Sequence, residues 1–270
     1  MKRSSRVWGD HFLLVWAAAI GLIAPRSYAQ APPAIAADRP GQATVPTIAI
    51  PGSVELAMGV QLAADQPTEG VKLQTHSLPF ATARIGLLKT MELRFSGEFR
   101  SLNSTVAPSI SDTTVSGLAS LTVGTKIGIA AEDEAIPELS LQMAIGLPVG
   151  SGTFRPASLA PSFAFLLHST VVPDALNLYA NAGAAWDGAN PEGFGTYAAA
   201  LYYNITPAFS TFGEFYGAMA PQLLPTHSFD GGFAYLLNNN LQLDLFGGIG
   251  LAGNVADYSV SAGFAWRVIE

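Results

Sequence analysis

The segment MELRFSGEFR, residues 91–100, alternates between two kinds of side chain. Its odd-numbered positions are apolar or glycine, and its even-numbered positions are polar, with four charges among the five. A period of two is typical of a β-strand, whose side chains point in turn to opposite faces. The segment therefore predicts a strand with one apolar face and one strongly charged face.

The charged face separates two classes of β-protein. A soluble β-sandwich or lipocalin-like barrel also alternates, but it buries one face in a dry core, where unpaired charges are costly. In this chain charges recur on the polar side of successive predicted strands, for example at Lys126, Glu214 and Asp244. We therefore expect polar faces that enclose water and apolar faces that meet lipid, as in a transmembrane β-barrel.

The same alternation returns in residues 54–62 and 258–268, near the two ends of the predicted barrel. We predict an all-β, antiparallel up-and-down barrel of about twelve strands, an even number that leaves both chain ends on the periplasmic side. Pro79 weakens the second strand, since proline cannot donate to a central ladder. The predicted strands are residues 53–64, 71–88, 90–100, 116–130, 137–148, 159–171, 175–187, 194–205, 208–219, 228–236, 240–251 and 257–268.

The predicted connections alternate between short and long, which is a second and independent indication of a membrane barrel. Bacterial barrels have short periplasmic turns and longer outer loops. Tight turns are predicted at residues 89–90, 173–174, 206–207 and 238–239. Longer polar or Gly/Pro-bearing links are predicted at residues 65–70, 101–115, 149–158, 187–193, 220–227 and 252–256.

The composition agrees with lipid contact but not with membrane helices. Charged residues make up 12% of the chain, about half of the roughly 25% typical of soluble domains, and the mean hydropathy is +0.32. Beyond the N-terminal region no apolar run approaches the roughly 18 residues of a membrane helix. Because only helices and closed barrels satisfy the backbone in a bilayer, the barrel remains.

The N-terminus predicts export. Lys2, Arg3 and Arg6 form a positive region, Phe12 to Ala24 an apolar core too short for a membrane span, and Ser27-Tyr28-Ala29 a cleavage site. We expect localisation in the outer membrane of a Gram-negative cell. The predicted organisation is a signal peptide at residues 1–29, an Ala/Pro-rich periplasmic lead-in at residues 30–52 and the barrel at residues 53–270.

Residue usage excludes several other classes of function. The chain has no Cys, so neither a lipoprotein anchor nor a disulfide is expected. Removing residues 1–29 leaves 9 basic and 19 acidic residues, a net charge of about −10 that argues against nucleic acid as a partner. With three His in the mature chain and neither metal-ligand spacing nor a phosphate-binding glycine loop, we predict no metal and no cofactor.

Three His-Ser dipeptides, at residues 76–77, 168–169 and 227–228, invite comparison with outer-membrane lipases. Neighbouring side chains of a strand point to opposite faces, so a dipeptide cannot form its own catalytic pair. We therefore predict no catalytic residues and no enzyme, and keep an outer-membrane lipase as the least favoured alternative.

Several segments resemble one known family. They are Asp38-Arg39-Pro40, Arg84-Ile85-Gly86-Leu87 with Met91-Glu92-Leu93-Arg94, Leu241-Gln242-Leu243-Asp244, Gly248-Ile249-Gly250-Leu251, Asp257-Tyr258 and Ala262-Gly263-Phe264-Ala265-Trp266-Arg267. Over most of residues 38–268 the chain resembles the outer-membrane transporter family associated with the meta-pathway of phenol degradation. The resemblance implies a channel linked to hydrophobic or aromatic compounds. Gly41, Thr44 and Ala57 stand where the family pattern has acidic residues, so any role of those carboxylates does not carry over.

The last strand also carries a recognition pattern. Ser261, Gly263, Trp266 and Val268 resemble the polar-x-Gly-x-x-aromatic-x-apolar signal by which such barrels reach the barrel assembly machinery. Ile269 and Glu270 follow it, whereas many barrels end on an aromatic residue, and an ordinary amphipathic strand remains the alternative. The expected partners are therefore this machinery, outer-membrane lipid and a small-molecule solute.

The polar faces supply the candidate pore-lining residues. One interpretation is a constriction that screens solutes, without strong ion selectivity because both signs occur; the other is a structural network of cross-strand ion pairs. The residues are Lys72, Arg84, Glu92, Arg94, Glu98, Arg100, Lys126, Gln142, Asn177, Asn181, Glu214, Asp230, Gln242, Asp244 and Arg267.

Barrel size bears on the function. Barrels of about eight strands are filled by side chains, whereas those of about sixteen leave an open channel. Twelve strands predict a narrow pore, or one plugged by an outer loop or by residues 30–52 folded inward. We predict a channel for passive passage of small, aromatic or hydrophobic compounds; the main alternative is a closed structural or adhesive barrel.

Overall fold

The computed structural model describes residues 32–107, 111–133 and 135–269. The predicted signal peptide lies outside these residues. Pro33–Ile269 forms one compact unit. Its strands are β1 Ser53–Thr68, β2 Val71–Leu88, β3 Met91–Val106, β4 Ser111–Ala130, β5 Glu138–Gly146, β6 Ala160–Val172, β7 Leu176–Ala185, β8 Phe194–Asn204, β9 Phe209–Met219, β10 Thr226–Asn238, β11 Leu241–Ala252 and β12 Tyr258–Ile269.

The twelve strands form one closed antiparallel barrel, which confirms the predicted fold class. Each strand pairs with the next along the chain, and β1 pairs with β12 from Ser53↔Ile269 to Ala64↔Tyr258. Closure leaves no strand edge unpaired, which is the condition for a sheet to exist in lipid. Within the described residues, no helix has the length and apolar character needed to cross a membrane.

The distribution of exposed side chains is inverted relative to a soluble protein. On β3, Phe95 and Phe99 are 42% and 46% exposed, whereas Glu92 and Arg94 are buried. The other strands follow the same rule, so that most large exposed side chains are apolar and the fully buried ones include charged groups. The apolar face therefore points outward and the polar face inward, as a membrane barrel requires.

β1, β3 and β4 are longer than predicted, whereas β2 has its predicted bounds. The first four strands are all long. They span 16 to 20 residues, although about 9–11 cross a bilayer. The predicted links at 65–70 and 101–115 are therefore wrong: the first is a two-residue turn, and the second is mostly strand. The backbone ladder of β3 and β4 continues to Val106↔Ser111. A side-chain bond adds to it, since Ser116 Oγ donates to Ser101 Oγ at 2.8 Å. β-Branched Thr also favours extended backbone.

Pro79 does not split β2, but it changes which side chains face inward. The pairing of β2 with β3 shifts between Ser77 and Phe80, which marks a β-bulge. A shift of one residue exchanges the two faces of a strand. Ser77 is buried on the inner face before the bulge, so Lys72, five residues earlier, lies on the opposite face and is exposed. The predicted inward direction of Lys72 is wrong for this reason.

Residues 33–52, here called the inner segment, run inside the barrel before β1 begins. Ile35 N donates to Asn239 O at 2.8 Å, and Arg267 donates to Pro33 O. Farther along, Ser140 Oγ donates to Pro46 O at 2.6 Å. These contacts come from inward-facing residues of strands on different sides of the ring, so the segment lies in the lumen. That this end of the barrel faces the periplasm stays a prediction.

Candidate functional site

One side of the lumen forms a cationic wall, defined by Arg84 of β2, Arg94 of β3, Lys126 of β4 and Arg267 of β12. Alternation and register bring these side chains together, since Arg84 stands directly opposite Arg94. Glu92 contacts three of them: Arg84 at 2.9 Å, Arg94 at 2.9 Å and Lys126 at 3.5 Å. Their side chains are almost completely buried, so each depends on the charged partners around it.

Glu55 of β1 completes this network, although sequence reasoning did not select it. It lies opposite Arg84 on one neighbouring strand and opposite Arg267 on the other. Its carboxylate is 3.0 Å from Arg84 and 3.9 Å from Arg267. The alternation of residues 53–64 places Glu55 on the polar face, so the pattern itself contained the signal for this residue.

The other side of the lumen forms an acidic wall, defined by Glu214 of β9, Asp230 of β10 and Asp244 of β11. Glu214 and Asp230 are directly opposite each other and almost completely buried. Glu214 Oε1 and both carboxylate oxygens of Asp230 have no hydrogen-bond partner among the residues that the structure describes. Two buried like charges in contact are unfavourable, so this pair is a point of electrostatic strain in the wall.

Two adjacent residues of the inner segment connect the walls. The Asp38 carboxylate meets the cationic wall, 2.6 Å from Arg94, 3.5 Å from Lys126 and 3.7 Å from Arg84. Arg39 forms a two-point bond to Asp244 on the acidic wall, at 2.6 and 3.1 Å. Burial alone would raise the pKa of Asp38, but the three cations outweigh it and hold that pKa well below its usual value.

The barrel wall also satisfies the backbone of the inner segment, which has no ladder of its own. Glu92 accepts from Ala49 N at 2.7 Å, and Glu214 accepts from Gln42 N at 2.7 Å. The Lys126 ammonium donates to Val45 O at 2.7 Å. Buried backbone groups need such partners, so the charged side chains of the wall determine the path of the segment.

The inner segment separates two cavities of the lumen. A cavity of about 390 Å³ is lined by Thr75, Ser77, Glu98 and Arg100 from the halves of β2 and β3 toward the long hairpins. A cavity of about 320 Å³ on the other side is lined by residues 34–37 and by side chains near the short turns. Arg39 lines both cavities and therefore stands between them.

An arc of inward-facing aromatic rings surrounds the segment, and sequence reasoning missed it. Tyr179 and Tyr202 are 5.2 Å apart between ring centroids, Tyr202 and Phe212 4.9 Å, and Phe212 and Phe246 6.1 Å. Tyr202 donates its hydroxyl hydrogen to Pro40 O. Alternation could have revealed the arc, because Phe212 and Phe246 each lie two residues from an inward carboxylate, Glu214 and Asp244.

The predicted pore-lining residues fall into three groups. Lys72 points away from the lumen. Five are partly exposed on the inner side: Glu98, Arg100, Gln142, Asn177 and Asn181. Nine are buried against the inner segment or against each other: Arg84, Glu92, Arg94, Lys126, Glu214, Asp230, Gln242, Asp244 and Arg267. Whether these fourteen line a conducting path stays a prediction.

One residue of each His-Ser dipeptide is bonded to a residue outside its dipeptide. Ser77 donates to Glu98, His168 bonds to Asn177 at 3.1 Å, and His227 bonds to the hydroxyl of Tyr197 at 2.8 Å. Over residues 32–107, 111–133 and 135–269, no cluster of three or more His, Asp or Glu side chains is arranged to hold a metal ion.

Comparisons with known proteins place this fold among outer-membrane barrels. An outer membrane channel from Pseudomonas putida F1 is 13% identical, with 82% of this chain and 97% of that chain covered and a TM-score of 0.64. The transport unit of the autotransporter AIDA-I from Escherichia coli is 10% identical, with 81% and 90% covered and a TM-score of 0.54. At such identities the likeness shows the fold alone. No curated protein matches the chain.

A family model decides the relationship. The family described as "Putative MetA-pathway of phenol degradation" matches residues 37–268, which include the inner segment from Ala37 onward and nearly all of the barrel. This match confirms the resemblance seen in the strand sequences. The protein therefore belongs to the family described as "Putative MetA-pathway of phenol degradation".

Proposed function

We propose that the protein is an outer-membrane channel for passive passage of small aromatic compounds, and that the inner segment gates it. The observation that carries the proposal is the position of the segment between two lumen cavities of about 390 and 320 Å³. Ligand pockets of about 300–1000 Å³ accommodate small molecules, so each cavity has room for a one-ring solute. Passage from one cavity to the other requires the segment to move.

The inner surface supports an aromatic solute. The arc of Tyr179, Tyr202, Phe212 and Phe246 offers ring faces along the path that the segment now occupies. Aromatic rings pair favourably in stacked or edge-on geometry, so these ring faces suit an aromatic solute. Membership of a family linked to phenol degradation supports the same class of solute.

The bonding of the segment supports a gate. Its polar contacts with the wall are mostly ion pairs and single hydrogen bonds made by side chains, such as Arg39 to Asp244 and Lys126 to Val45 O. The barrel ladder runs from β1 to β12 without any strand contributed by the segment. The segment can therefore move while every strand remains paired.

We assign the fourteen inward-facing residues predicted above to the lining of this path, where charges of both signs screen solutes without strong ion selectivity. We also propose that the protein is exported through a signal peptide at residues 1–29 and assembled through its last strand. We propose that it has no catalytic activity. The apolar outer face and the barrel relatives support the outer-membrane location.

A closed structural barrel is the second candidate, favoured by the ion-pair network around Glu92. Liposome swelling with benzamide, a neutral and flat one-ring solute, distinguishes the two. We expect swelling with the wild-type protein and faster swelling with Asp38→Asn combined with Arg39→Gln, because both wall contacts weaken. The control Asp187→Asn alters an exposed loop and leaves the rate unchanged. If liposomes with the wild type and liposomes with the double variant both failed to swell, the channel proposal would be rejected in favour of the closed structural barrel.

A further inference from the structure

The cationic wall is a built carboxylate site that the inner segment fills with its own residue. Arg84, Arg94 and Lys126 converge on the Asp38 carboxylate at 2.6 to 3.7 Å. Glu92 of the barrel holds all three cations. Arg84 also donates to Thr47 O and Lys126 to Val45 O of the segment, so Glu92 is the partner that remains when the segment moves. A carboxylate in this position is bound by geometry that already exists in the wall.

The charge balance of the wall requires an anion there. Arg84, Arg94, Lys126 and Arg267 supply four positive charges, and among the described barrel residues Glu55 and Glu92 are the carboxylates paired with them. Asp38 is the third carboxylate of the network and comes from the segment. When the segment moves away, two positive charges remain uncompensated in a largely buried site, which favours any incoming anion.

A flat slot lies next to the carboxylate site. The Arg39 guanidinium carbon is 4.6 Å from the ring centroid of Phe80 and 5.7 Å from that of Phe246. A Cβ atom at Gly59 or at Gly263 would come within 2.5 Å of a guanidinium nitrogen. The two glycines and two rings therefore leave space for a planar group and for little else.

The carboxylate site and the flat slot open on the same cavity. Asp38, Arg39, Phe80 and Phe246 all contribute to the lining of the cavity of about 390 Å³ on the long-hairpin side. A solute that enters this cavity thus meets the two subsites together, each filled by one residue of the segment.

We infer that Asp38-Arg39 occupies the binding site of an aromatic carboxylate, and that such a solute opens the gate by competing with this dipeptide. The solute carboxylate takes the place of the Asp38 carboxylate, and its ring takes the place of the guanidinium plane. Asp244, released from Arg39, then meets the water that enters as the cavities join. The inference rests on the proposed channel function and specifies its solute class.

The test empties both subsites in the full-length protein with Asp38→Ala combined with Arg39→Ala. Calorimetric titration in detergent uses benzoate, its neutral isostere benzamide, and cyclohexanecarboxylate, which has the charge without the flat ring. We expect benzoate to bind the double variant about tenfold more tightly than the wild type, where Asp38 competes. Benzoate should also bind the double variant more tightly than the other two probes do. Equal affinity for benzoate and benzamide, or no benzoate binding, would overturn the inference.

Two further measurements keep the test independent of the folding of one variant. Adding Arg94→Gln to the double variant should abolish benzoate binding, whereas adding Asp187→Ala, in an exposed loop, should not. In the wild type, benzoate should accelerate hydrogen exchange at the amides of Gln42 and Ala49, and benzamide should do so less. Unchanged exchange with benzoate would contradict the competition. Liposome swelling with benzamide tests the channel function separately. Swelling with benzamide but no binding of benzoate would reject the carboxylate inference and leave the proposed channel function intact.

Discussion

At the scale of single residues, the acidic wall contains an unusual pair. Glu214 and Asp230 face each other across neighbouring strands, and within the described part of the chain three of their four carboxylate oxygens lack a donor. Asp244 has the opposite situation, because both its oxygens accept from Arg39. Both aspartates are buried and they differ in their partners, so they form a useful comparison.

We expect Asp230→Asn to stabilise the protein by about 1 kcal/mol at a pH of about 8, because the amide removes one charge and donates to Glu214. Asp244→Asn should instead cost about 2 kcal/mol, because Arg39 loses its buried partner. Denaturant titration in detergent micelles measures both. Equal destabilisation by the two substitutions would contradict the described strain.

Asp38 adds a dependence on pH. Its pKa is lower in the folded protein than the unfolded value of 3.8, because three cations of the wall outweigh the effect of burial. A carboxyl group of this kind contributes stability that is fully present above the unfolded pKa and is lost as the pH falls through the folded pKa.

We therefore expect the stability advantage of the wild type over Asp38→Asn to shrink as the pH falls from about 5 to about 3. Denaturant midpoints of the two proteins at each pH give this difference, in which the titration of carboxylates distant from Asp38 cancels. A constant difference over this range would show that Asp38 is not held as a carboxylate by the wall.

At the scale of elements, the strands were predictable, whereas the sequence left open whether an outer loop or residues 30–52 fold into the lumen. Strict alternation on β3 and β12 predicted both their faces and their places in the ladder. On β2 the same rule failed at Lys72, because a bulge next to Pro79 exchanges the faces and leaves no trace in a two-residue period. Asp38 and Arg39 were missed as lumen residues, since an irregular segment has no periodicity from which to infer side-chain direction.

β3 carries two carboxylates that differ in what they hold. Glu92 is fully buried and binds Arg84, Arg94 and Ala49 N, whereas Glu98 is partly exposed and binds Arg100 and Ser77. We expect Glu92→Gln to cost about 3 kcal/mol and Glu98→Gln less than about 1 kcal/mol in denaturant titrations. Similar losses would mean that the wall near Glu92 does not organise the barrel as described.

At the scale of the whole molecule, charge is divided across the lumen. The cationic wall on β12 and β2–β4 faces the acidic wall on β9–β11, and the inner segment presents Asp38 to the first and Arg39 to the second. Composition and alternation predicted a closed barrel with a wet interior, and barrel size left open whether that interior was plugged. The division into two walls emerged only from the closed ring, because it depends on which strands lie opposite each other.

The central claim is that residues 33–52 occlude the lumen and must move for a solute to pass. Ala43 of the segment packs in one buried cluster with Ala198 of β8. Because the chain has no Cys, combining Ala43→Cys with Ala198→Cys introduces a single disulfide that ties the segment to the barrel. In benzamide swelling assays, we predict that liposomes with the oxidised double variant swell no faster than protein-free liposomes. Adding reductant should raise their swelling rate to that of liposomes with the single variant Ala43→Cys. An oxidised, fully cross-linked protein that swells liposomes as fast as its reduced form would contradict the account.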